Sequence, residues 1–173
     1  NGAMHQWTIV AAYGDNLDAV ADQMARAYGC TAGTRGALMQ LGYLLNYNAY
    51  GESAEDLHFH PAQLYQSLHR FESPLDFIAK AYEYHRLQEG HADDQRALHD
   101  VQPYASNQHA CVYLLPDRPW ARRLCGLLAN KLVTSQGGRS VAVLTPRSDG
   151  DFLVSLRIGK NVACRADLFC SRY

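Results

Sequence analysis

The sequence predicts an α/β fold in two parts with a helical connector between them, and three observations support it. An apolar run, W-T-I-V-A-A-Y, stops abruptly at G-D-N over residues 14–16, the pattern of a strand buried on both faces of a parallel sheet. Apolar residues then recur at steps of three and four for much of the chain, which is helical spacing. Beyond residue 108 the period changes, and strands and helices follow in the order β-α-β-β-α, a small module with a mixed sheet. The expected division is residues 1–83, a connector over 84–107, and a second domain over 108–173.

The opening strand ends where Gly14 permits a sharp turn and where Asp15 or Asn16 can cap the following helix. Parallel sheets place their chemistry at this carboxyl end. A carboxylate fixed there suits a hard divalent cation such as Mg²⁺ or Mn²⁺, and the plain alternative for Asp15 is a helix cap. Leu17, Val20, Ala21, Met24 and Tyr28 then mark an amphipathic helix over residues 16–28, ended by Gly29. Thr31 or Thr34 caps the next helix, with Leu38, Leu41, Leu44 and Leu45 on one face, until N-Y-N-A-Y-G breaks the pattern. Asn46, Tyr47 and Asn48 there either line a pocket or serve as caps and half-buried residues.

His58 and His60 flank Phe59, so in an extended segment both point to one side, where a transition metal could bind. No third ligand stands nearby, and the alternative is a pair of surface histidines before the helix that Pro61 opens. Leu64, Tyr65 and Leu68 form that helix's expected buried stripe. Ser73 and Pro74 open another, with Leu75, Ile78, Ala81 and Tyr82 toward the core. From Tyr84 to Val101 charge rises, and His85, His91 and His99 do not share a helical face, which reads as a solvated connector. Pro, Ser and Asn gather over residues 103–108 as a boundary.

The second domain begins with a strand over residues 109–115. Asp117 caps and Pro119 starts a helix carrying Trp120, Leu124, Leu127, Leu128 and Leu132, which Gly137 and Gly138 end. Strands over 141–145 and 152–158 pair as a hairpin through Asp149 and Gly150, and a short helix over 163–172 carries Leu168 and Phe169. On the last strand Ser155 and Arg157 share a face. An arginine on a rigid strand makes a good clamp for phosphate or carboxylate, and the alternative is a solvated arginine at a sheet edge.

A formal net charge of −1 gives no electrostatic footprint for long nucleic acid. Five cysteines without a CxxC argue against a disulfide framework or zinc ribbon and point to reduced thiols in a cytoplasmic protein. No apolar run is long enough for a membrane span, and no signal core opens the chain, so no membrane partner is expected. A lone opening strand lacks the crossover units a parallel sheet needs, so the sequence is expected to belong to a longer polypeptide.

Two stretches resemble the DHH/DHHA1 phosphoesterase superfamily, which includes RecJ-like exonucleases, oligoribonucleases, cyclic-dinucleotide phosphodiesterases and exopolyphosphatase-like proteins. W-T-I-V-A-A-Y-G-D-N is similar to that family's fourth metal motif, and the region from Cys111 through L-V-S-L-R to Tyr173 resembles most of a DHHA1 substrate domain. L-L-N-Y-N-A-Y-G and L-P-D-R-P-W-A-R-R add to the likeness. The resemblance implies a remnant of a parallel-sheet DHH domain followed by a DHHA1-like domain, with Asp15 as a ligand of a Mn²⁺ or Mg²⁺ pair. It also implies that Ser155 and Arg157 hold substrate phosphate or a terminal nucleotide.

The family's Asp-rich first motif and Asp-His-His are absent, and the sequence stops at Tyr173 where a Gly-rich loop is expected. Two-metal phosphoryl transfer needs several carboxylates and histidines. The expected function is therefore part of a divalent-metal-dependent hydrolase of phosphodiester or phosphoanhydride bonds in short nucleotide or polyphosphate substrates, the chain alone being inactive. The competing expectation is a non-catalytic module that binds a nucleotide or an RNA end through Arg157 with Arg139, Arg147 and Lys160. Expected partners are a small phosphorylated substrate or short oligonucleotide, with a homodimer left open.

Overall fold

A computed structural model describes residues 2–160 and 162–171. Among these residues it contains helices α1 (Gly2–Gly14), α2 (Asp18–Ala27), α3 (Ala32–Tyr47), α4 (Pro61–Leu68), α5 (Pro74–Lys80), α6 (Tyr82–Ala97), α7 (Pro119–Ser135) and α8 (Ala166–Cys170), with a 3-10 turn at Ala54–Asp56. The strands are β1 (Ala105–Ser106), β2 (Ala110–Leu114), β3 (Ser140–Pro146) and β4 (Phe152–Arg157), so the fold is α/β. The chain divides into two compact units, residues 1–93 and 94–173, and the division falls within α6.

The expected opening strand is a helix. Its buried residues, Ile9, Val10 and Tyr13, fall at steps of one, three and four, and they pack with Ala21, Ala25, Leu38 and Leu41 in an all-helical core. Burying a side chain of this size contributes roughly 1.5–3 kcal/mol, which outweighs the modest strand preference of Thr8, Ile9 and Val10. Among the described residues of the first unit there is no strand, so this part holds no piece of a parallel sheet.

The G-D-N that looked like a strand exit is the helix's C-terminal cap. Asn16 adopts φ 58°, its N–H bonds the Tyr13 carbonyl at 3.1 Å, and Leu17 N–H bonds the Ala12 carbonyl at 2.9 Å. This pairing closes a helix end with a left-handed residue, a position Asn tolerates better than most. Neither Asp15 nor Asn16 caps α2, whose N-cap is Leu17 with no side-chain hydrogen bond.

The later helix signals hold more closely. Gly29 ends α2 at φ 68°, Thr31 Oγ1 accepts from Thr34 N–H to start α3, and Ser73 Oγ accepts from Leu75 N–H ahead of Pro74. Two apolar stripes differ from expectation: Tyr65 and Tyr82 are exposed, and Ser67 and Phe77 take the buried places. α1 and α3 cross closely at Gly14 and Gly42. A Cβ added to Gly42 would lie 2.5 Å from the Val10 carbonyl oxygen and 2.9 Å from Gly14 N, so only glycine lets the two backbones meet there. The expected solvated connector is also part of the core, since Tyr84 and Leu87 of α6 are buried in it.

In the second unit the sheet order is β1-β2-β3-β4. β2 and β3 are parallel, with α7 as their crossover, and both outer pairs are antiparallel. β1, which sequence pattern missed, is a two-residue strand. α7 covers the face carrying Cys111, Tyr113, Val141 and Val143. The opposite face carries Leu144, Phe152, Val154 and Leu156, and Phe152 and Val154 on it are exposed. Asp117 does not cap α7; its N-cap is Arg118, and Asp117 pairs instead with Arg122. The β3/β4 hairpin turns as expected, with Arg147 N–H on the Asp151 carbonyl at 2.9 Å. Arg172, the last residue of the expected final helix, lies outside the described residues.

No described helix is long and apolar enough to cross a membrane.

Candidate functional site

Asp15 belongs to the first unit, Ser155 and Arg157 to the second. Asp15 follows the last turn of α1 with its N–H on the Ala11 carbonyl at 3.0 Å, and its side chain is exposed. The turn is set by the left-handed Asn16, so the carboxylate is displayed at a helix C-terminus rather than at the end of a strand.

The acids that follow Asp15 are engaged by tyrosines. Asp18 and Asp22 lie one helical turn apart on α2, where side chains share a face. Tyr43 donates to Asp18 at 2.6 Å, and Tyr13 donates to Asp22 at 2.6 Å, with Arg35 at 3.4 Å from the same oxygen. Burial first, and then the bond to Asp22, push the Tyr13 hydroxyl up to about 12, while Tyr13's hydrogen bond holds Asp22 below the usual carboxylate range. Tyr43 is raised for the same pair of reasons, burial and Asp18. These bonds tie α2 to α1 and α3. The i, i+4 spacing of Asp18 and Asp22 was the one sequence signal for them.

The two histidines flanking Phe59 separate. His60 Nδ1 accepts from Ala62 N–H and starts α4, while His58 is half-buried, sharing a 2.7 Å hydrogen bond with Tyr47 and lying against Gly90 where a Cβ would collide with its ring. Asn48, 3% exposed, holds the same segment by accepting from His58 and Phe59 N–H and donating to the Phe59 carbonyl. Tyr47 and Asn48 are thus structural clamps. Among the described residues no group of three or more His, Cys, Asp or Glu side chains is placed to hold a metal ion. Asp15 contributes a single carboxylate, so the described donor set does not make up a two-metal centre.

Ser155 and Arg157 do share a face of β4, the face toward α7. Ser155 Oγ donates to Cys125 Sγ at 3.5 Å and is half-buried beneath the helix. Arg157 donates from Nε to Asn130 Oδ1 and from Nη1 to the Leu156 carbonyl at 2.9 Å, and no described residue takes a bond from Nη2. Just beyond it, Gly159 N–H bonds Ser140 Oγ at 3.1 Å, fixing the end of the strand. The guanidinium is therefore oriented by a helix side chain and a strand carbonyl, with one nitrogen left for an anion.

Of its proposed basic neighbours, Arg139 donates from Nη2 to Ser106 Oγ and the Ala110 carbonyl with its Nε buried, and Arg147 pairs with Asp149 at 3.2 Å. Lys160 is exposed. Asn130, on α7, is the residue that sequence reasoning missed. Its position opposite Arg157 depends on the helix-to-strand packing, which no local pattern specifies.

The first unit also carries an open groove of about 440 Å³ lined by Met4, Trp7, Leu45, Tyr65, Leu68 and Phe71. This lining is mostly apolar and aromatic, with His69 as its one basic side chain among the described residues. Comparison with protein-family models, curated proteins and solved structures finds no match to this chain.

Proposed function

We propose that this chain is one part of a divalent-metal-dependent phosphoesterase acting on short nucleotide or polyphosphate substrates, with Arg157 as its grip on substrate phosphate. The observation that supports this reading best is the arginine's setting: Nε and Nη1 are committed to Asn130 and Leu156, which orients Nη2 without a partner of its own among the described residues. A preoriented guanidinium loses less freedom when it binds a phosphate oxygen than a free surface arginine does. Ser155 lies under α7 and positions the strand more than it could contact a ligand.

Asp15, exposed in the turn that closes α1 and not a cap of α2, supplies one carboxylate toward Mn²⁺ or Mg²⁺. Two-metal hydrolysis requires further ligands beside Asp15, and in this proposal they come from outside the chain.

The test combines calorimetric titration of the chain with a 5′-phosphorylated dinucleotide, with and without Mn²⁺, and a hydrolysis assay. Binding without turnover, strengthened by Mn²⁺ in wild type and not in Asp15→Asn, is the expected result. Robust Mn²⁺-dependent turnover by the chain itself would overturn the inactive-part reading. Binding indifferent to both Mn²⁺ and Asp15→Asn would favour a non-catalytic nucleotide- or RNA-end-binding module.

A further inference from the structure

β4 is an edge strand of the sheet, and Phe152, Leu153 and Val154 on it are 48%, 39% and 52% exposed. Natural edges are protected by charge, proline, bulges or brevity. The stretch F-L-V-S-L has no charge and no proline. The opposite edge, β1, is only two residues long, and Arg139 Nη2 bonds Ser106 on it.

The direction of the free backbone groups follows from the hairpin register. Antiparallel pairs alternate between bonded and non-bonded, and Arg147 N–H bonds the Asp151 carbonyl. Pro146, which has no N–H, stands opposite Phe152, so that pair is non-bonded. Leu153, Ser155 and Arg157 therefore face β3 with their N–H and C=O groups, while Phe152, Val154 and Leu156 direct theirs away from the sheet, the Leu156 carbonyl sharing its oxygen with Arg157 Nη1 at 2.9 Å. A second strand matches donors and acceptors at that spacing along its whole length.

We propose that two copies of this chain pair through β4 as an antiparallel ladder about a two-fold axis at Val154. In this register the outward-facing residues meet one another, Val154 opposite its own copy and Phe152 opposite the copy's Leu156, an apolar cross-strand pair. The same register sets Arg157 opposite the copy's Asp151, so each end of the ladder closes on opposite charges. Charge complementarity and self-matching backbone together favour a second copy over an unrelated strand. Because β1 is too short to propagate the ladder, the assembly closes as a dimer and does not grow into a filament.

Sedimentation equilibrium of the full chain over a range of concentrations tests this. The wild type should approach twice the 19.3 kDa chain mass at high micromolar concentration. Val154→Pro removes an outward donor and none of the β3/β4 bonds, and Asp151→Lys sets like charges against Arg157; each should raise the dimer dissociation constant by about tenfold or more. Unchanged far-UV circular dichroism would show that the fold is intact. If the proline variant unfolds, Asp151→Lys and the concentration dependence of amide exchange at Val154 and Leu156 decide the matter. A monomer at every concentration, or a dimer indifferent to Asp151→Lys with Val154 and Leu156 exchanging at a concentration-independent rate, overturns the proposal.

Discussion

Asp94 and Arg123 form a buried ion pair in the second unit. Nε donates to Oδ2 at 2.8 Å and Nη2 to Oδ1 at 2.9 Å, and the two side chains are 8% and 9% exposed. Arg123→Met keeps most of the packing and leaves the carboxylate inside without its guanidinium. Breaking a buried pair from one side costs about 3–5 kcal/mol, a large share of the roughly 5–15 kcal/mol by which domains are stable. Replacing both partners, as in Asp94→Leu with Arg123→Met, removes the buried carboxylate together with the guanidinium and should cost much less, within about 2 kcal/mol of wild type.

The two tryptophans provide the assay, because Trp7 lies in the first unit and Trp120 packs on the second unit's core. In a Trp7→Phe background, urea unfolding followed by fluorescence reports the second unit. The double-mutant cycle should give a coupling of about 4 kcal/mol or more, because two single losses of at least about 3 kcal/mol exceed the double's of about 2 kcal/mol by that amount. Single variants costing under about 1 kcal/mol, or losses that simply add, would mean that water screens this pair as it does a surface one.

Gly42→Ala should destabilise the first unit by about 1–2 kcal/mol, since the new Cβ must push α1 away from α3 against a helix-propensity gain of about 1 kcal/mol; thermal unfolding checks it, and a stabilised variant would contradict the close crossing. Tyr13→Phe should cost about 1 kcal/mol near neutral pH by removing the bond to Asp22. With the Tyr13 pKa raised to about 12, its contribution is full below the unfolded phenol value near 10 and is lost as pH rises through about 12. Asp22, held low, contributes above the ordinary carboxylate value and loses its share as pH falls through its lowered one. Denaturant midpoints measured across pH should therefore fall less steeply at alkaline pH in Tyr13→Phe than in wild type, and parallel curves would refute the link.

Local backbone chemistry made parts of the fold legible. Thr31, Ser73 and Pro74, the Gly29 stop and the Asp149-Gly150 hairpin all act within a few residues of themselves, so their signals survive without knowledge of neighbours. Residues 7–16 went the other way because a short apolar run fits a buried strand and a buried helix equally. What decides between them is the partner surface of α2 and α3, which lies well away in sequence. The buried steps at Ile9, Val10 and Tyr13 were the available helical signal, and G-D-N could be read as a helix stop as readily as a strand exit.

At the candidate site, strand alternation put Ser155 and Arg157 on one face correctly. Which face meets α7, and hence that Asn130 orients the arginine while Ser155 lies beneath the helix, follows from packing alone.

The most direct test of the phosphate-gripping role is the affinity of the chain for a 5′-phosphorylated dinucleotide in wild type, Arg157→Ala and Asn130→Ala, each checked for an intact fold by circular dichroism. Removing a charge-assisted contact should weaken binding about tenfold or more in Arg157→Ala, with a smaller loss when Asn130 no longer orients the guanidinium. Equal affinity in wild type and Arg157→Ala would contradict the account.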